Sequence, residues 1–71
     1  MNEITDRQEK ILRFITEYIR ENKFSPTLRE IAEHFQITVK AVKDHKLALE
    51  KKGYIKSLYK KARTITIKET P

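Results

Sequence analysis

A chain of 71 residues with one glycine and no cysteine can build one modest hydrophobic core, with neither disulfides nor a thiolate metal site to reinforce it. At 38% hydrophobic and 37% charged residues it reads as a globule with a nearly all-ionic surface, and no run nears the ~18 apolar residues that span a bilayer. The formal charge of +6 is lopsided: residues 1–35 hold six Lys/Arg against seven Asp/Glu, and residues 36–71 hold ten against three.

Thr5-Asp6-Arg7-Gln8 is a capping box that opens a first helix over about 6–22. Ile11, Leu12, Ile15, Tyr18 and Ile19 form one stripe at helical period, with Phe14 beside it. Ser25-Pro26 breaks the helix, because Pro pushes Ser25 out of the α region. Thr27-Leu28-Arg29-Glu30 is a second capping box, starting a short helix over about 28–35 with Leu28, Ile31, Ala32 and Phe35 on one face. Gln36-Ile37-Thr38 connects it to a third helix, capped by Thr38, running over about 39–52 and ended by Gly53. After Gly53 the period falls to 2. Strands are expected over about 54–59 and 64–68, joined by the basic loop Lys60-Lys61-Ala62-Arg63. Three helices with a hairpin docked on them make a mainly α fold, a winged helix-turn-helix, and residues 1–71 read as one such domain, with a frayed end at 69–71.

The runs Thr5-Asp6-Arg7-Gln8, Ile11-Leu12-Arg13-Phe14-Ile15, Phe24 to Ala32 and Ala48 to Ile55 stand in the order and spacing of LexA repressors, and the chain resembles the N-terminal DNA-binding domain of that family over essentially its whole length. The resemblance implies a transcriptional repressor of DNA-damage (SOS) genes, bound as a homodimer to a palindromic operator in the bacterial cytoplasm. It also implies a C-terminal domain that dimerises and cleaves its own chain with a Ser/Lys pair. The only serines here are Ser25 and Ser57, so that domain is expected to lie outside this chain, which is then no enzyme. A free-standing small repressor unrelated to DNA damage is the alternative.

The third helix is narrow enough to enter a major groove, where each base pair shows a distinct donor and acceptor pattern. Base contacts are expected from Thr38, Lys40, Ala41, Lys43 and Asp44, the positions that read bases in the family. Familiar relatives carry Asn and Glu where this chain has Lys40 and Lys43, so a different operator is expected. Thr27 and Arg29, at the start of the second helix, and Lys60, Lys61 and Arg63, in the wing, are expected on the DNA backbone. No cofactor, metal, membrane or small-molecule substrate is expected. His45 reads as structural and His34 as a surface residue, while Tyr18, Phe24, Phe35 and Tyr54 fit core roles.

Two departures from the family stand out. Asn22-Lys23 replaces the usual glycine after the first helix, and Asn22 is the residue that tolerates a left-handed turn. Lys46-Leu47 inverts the usual apolar-first order, so Lys46 should lay its stem along the core with its ammonium in water, leaving Leu47 exposed. Other functions leave different marks. A protein-contact module needs an apolar patch, for which Leu47 is the only support. RNA binding needs aromatics arranged for stacking, and a membrane surface needs large apolar residues opposite a basic helix face.

Overall fold

Three threonine caps set the helical skeleton. The computed structural model describes residues 4–57 and 63–67, with α1 at Asp6–Asn22, α2 at Leu28–Phe35 and α3 at Val39–Lys51. The Thr5 and Thr27 hydroxyls accept from the amides of Gln8 and Glu30, each at 3.1 Å. The Gln8 and Glu30 side chains accept from the threonine amides in return, at 3.3 and 2.8 Å, so both capping boxes close. Thr38 accepts from the Ala41 amide at 3.0 Å, but Ala41 has no side chain to reciprocate.

The helix ends require left-handed residues, and only one of them is glycine. At Gly53 (φ 84°) the amides of Gly53 and Tyr54 donate to the Glu50 and Leu49 carbonyls at 3.0 and 2.9 Å. At Gln36 (φ 56°) the same pattern recurs, with the Ile37 amide donating to the Ala32 carbonyl at 3.0 Å. The tight α2–α3 connection is therefore closed by backbone hydrogen bonds without a glycine. The end of α1 differs from expectation. Lys23, at φ 69°, takes the left-handed turn. Asn22 stays helical, and its side-chain amide donates to the Tyr18 carbonyl at 3.0 Å.

The stripes meet in a core of Ile11 and Ile15 from α1, Ile31 and Ala32 from α2, and Val42 and Leu49 from α3. The hairpin closes it with Ile55 and Ile65. Strand β1 (Ile55–Lys56) pairs antiparallel with β2 (Thr66–Ile67), with Ile55 opposite Ile67 and Lys56 opposite Thr66. The architecture is a winged helix-turn-helix.

Within the described residues the ladder is shorter than the alternation suggests, for two local reasons. The Tyr54 amide is taken by the C-terminal turn of α3. The Ile65 amide donates to the Ser25 hydroxyl at 3.2 Å instead of across the ladder. Expected strand residues 58–59 and 68, and the loop residues Lys60 and Lys61, lie outside the described residues.

Two aromatics expected in the core are not there: Phe24 is 47% exposed, with its ring edge-on to Tyr18 at 5.9 Å, and Tyr18 is half-buried outside the core cluster with its hydroxyl bonded to Glu30. The inverted pair behaves as its chemistry demands. Leu47 is 54% exposed, while Lys46 is half-buried and carries its ammonium to Glu50 at 3.7 Å. His45 is half-buried, and His34 is exposed but stacked on Phe14 at 4.2 Å.

Candidate nucleic-acid interface

Helix α3 buries Val42 and Leu49, and its opposite side is the open one. Lys40, Asp44, Leu47 and Lys51 follow one another at spacings of four, three and four, so they form a single outward stripe, and all four are exposed. Lys43 flanks the stripe and is also exposed. The start of the helix adds Thr38 and Val39, both exposed, and Ala41, half-buried. The five residues expected to contact bases therefore cluster on the outer side and N-terminal half of one helix. Three of them are partly engaged already. The Thr38 hydroxyl caps the helix, and the Lys40 ammonium pairs with Asp44 at 3.4 Å. That pair is highly exposed, so it is worth a few tenths of a kcal/mol and opens readily for a better partner.

Sequence reasoning placed Leu47 on the open side but missed Val39 and Lys51 as members of this face. Lys51 was legible, since it extends the four-three-four spacing by one turn. Val39 carries no polar signal, and only its exposure marks it.

Helix α2 packs against α3 in the helix-turn-helix, and its N-terminal turn follows the Thr27 cap. Arg29 is exposed there, and Thr27 is half-buried with its hydroxyl committed to the cap. Arg63 is exposed, but its guanidinium turns onto the protein. One of its terminal nitrogens, Nη1, lies 3.0 Å from Glu30 Oε1 and donates to the Tyr18 hydroxyl and the Ser25 carbonyl, each at 3.2 Å. The other, Nη2, donates to Glu30 Oε2 at 3.1 Å, and the guanidinium lies 4.9 Å from the centre of the Phe24 ring. This explains why Phe24 stays at the surface: its face is covered by a cation, not by the core. The Thr27 amide, with Arg63 second, holds the Glu30 carboxyl below its ordinary value. The Tyr18 hydroxyl and Glu30 raise the guanidinium of Arg63 further.

Among the described residues no cluster of His, Cys, Asp and Glu could hold a metal ion, and no helix is long and apolar enough to cross a membrane. The family model described as LexA DNA binding domain matches residues 1–64. The chain is similar over its whole length to the LexA repressor of Thermosipho africanus, at 48% identity, and covers 36% of that protein. It is 46% identical over its whole length to the LexA repressor of Leptospira interrogans, and 44% identical over 99% of its length to that of Thermotoga maritima, covering 36% of each. The chain thus spans about a third of the length of these relatives. A capped three-helix core, an exposed lysine stripe on α3 and a match over residues 1–64 converge on one assignment: the chain belongs to the LexA DNA-binding domain family.

Proposed function

We propose that this chain is the sequence-specific, double-stranded-DNA-binding part of a LexA-type transcriptional repressor of the SOS response, acting in the bacterial cytoplasm. The observation that carries the reading is the outward stripe of α3, where Lys40, Asp44 and Lys43 stand exposed on a helix of major-groove width. Lysine donates to guanine O6 and N7, Asp44 accepts from cytosine N4, and Ala41 meets a thymine methyl. Thr38 completes the reading set at the helix start. Thr27 and Arg29 set the register on the backbone. Lys60 and Lys61, outside the described residues, add two positive charges in the sequence between the strands. Two copies on a palindromic operator would place one α3 in each half-site, held together by the part of a repressor beyond this chain.

The test is enrichment of binding sites from a random duplex pool, followed by titration at several salt concentrations. The expected result is a discrete half-site whose affinity falls steeply with salt. Lys40→Ala and Lys43→Ala should each weaken that site by about 1–3 kcal/mol and relax preference at one base pair. A lysine that touches only phosphate would instead lower the salt slope by about 0.9 with no change in preference. No enrichment from the pool would overturn the reading, and the exposed Leu47 would then favour a protein-contact role.

A further inference from the structure

The Arg63 cluster joins segments far apart in the chain. Its guanidinium meets Tyr18 at the end of α1, Ser25 in the loop and Glu30 in the first turn of α2. Next to it, the Ile65 amide donates to the buried Ser25 hydroxyl. Together these bonds fasten the start of β2 to the loop that introduces the helix-turn-helix.

We propose that Arg63 is a positioning residue: it acts through Glu30, fixing the wing against α2, and does not bind DNA phosphate itself. This rests on the DNA-binding reading above. The first reason is geometric. Four donor–acceptor contacts and one ring face already use the guanidinium, and bridging both Glu30 oxygens is a fork geometry that only arginine supplies. The second is electrostatic. Glu30 lies in the same helical turn as Arg29 and one residue beyond it, where a phosphate would approach. Releasing Arg63 to a phosphate would leave an uncompensated carboxylate beside that phosphate. The third is directional. Strand β1, paired with β2, carries the exposed Lys56, so fixing the start of β2 fixes where that charge stands relative to α3.

The test turns on a sign. Glu30→Gln removes a negative charge from a DNA-binding face and keeps the helix cap, because Gln also completes a capping box. Plain electrostatics therefore says that it should bind DNA more tightly. The positioning role says the reverse. Affinities for a duplex enriched by the wild-type chain would be measured for Glu30→Gln, Arg63→Lys and the double variant, at a temperature where thermal melts show each fully folded. Amide exchange at Ile65 would be followed in the free proteins.

Both single variants should weaken binding by roughly two- to fivefold, as expected for one partly exposed ion pair, and the double variant should be no worse than the weaker single. Ile65 exchange should speed up in all three. Tighter binding by Glu30→Gln, or unchanged binding by Arg63→Lys, overturns the proposal in favour of a direct phosphate contact. Unchanged Ile65 exchange overturns it even if the wild-type chain enriches no duplex, so its failure is separable from that of the DNA-binding reading.

Discussion

At the scale of single residues, this chain tolerates conformations that its side chains do not favour. Lys23 sits at φ 69°, with no side-chain hydrogen bond or ion pair among the described residues, where glycine would have no Cβ penalty. Lys23→Gly should raise stability by about 0.5–1 kcal/mol, allowing for the extra freedom glycine gives the unfolded chain. A urea midpoint equal to or below that of the parent would show that the lysine stem contributes packing at this turn. The Lys46-Leu47 pair makes a second case. Exchanging them, by Lys46→Leu with Leu47→Lys, buries an apolar side chain against the core and exposes a charged one, at the cost of the ion pair to Glu50. The exchange should raise stability by about 1–2 kcal/mol. A thermal melt with no gain would mean that the methylene stem of Lys46 already fills the site.

At the scale of elements, local signals proved sufficient for helices and insufficient for strands. Each helix start was written in a threonine cap, and each helix face in its stripe, because both depend on residues within four of one another. The hairpin's limits depend on where two amides go, one to α3 and one to Ser25, and the second partner lies 40 residues away. For the same reason Arg63 read as an outward basic residue: nothing near it in the sequence announces Tyr18, Ser25 or Glu30. The open side of α3 was legible in its polar residues and, through the inverted Lys46-Leu47 pair, in Leu47, but hidden at Val39. The Glu30 cap also links this element to pH. Its carboxyl titrates below the ordinary value when folded, through the Thr27 amide and Arg63. The folded state therefore holds fewer protons than the unfolded one. The stabilisation is complete above the ordinary carboxylate range and is lost as pH falls through the lowered value. Glu30→Gln should narrow its stability gap to the parent as pH drops from neutrality into that acid range. Urea midpoints that stay parallel across the range would sink this assignment.

At the scale of the whole molecule, size and charge act together. The body measures 30 × 24 × 22 Å. That is comparable to the ~34–36 Å of one duplex turn. The acidic first half and the basic second half give the molecule a directed field, which would turn α3 and the hairpin toward a polyanion before contact. A core this small leaves a total stability of roughly 4–10 kcal/mol, so the polar bonds that fasten the hairpin are a sizeable fraction of what holds it. Their reach along the chain has a kinetic consequence. The caps close loops of three residues, while the Ser25–Ile65 bond closes one of forty. Long closures form after short ones during folding. The hairpin would then dock last and loosen first, and on the DNA-binding reading departure from a duplex would begin there, before α3 leaves.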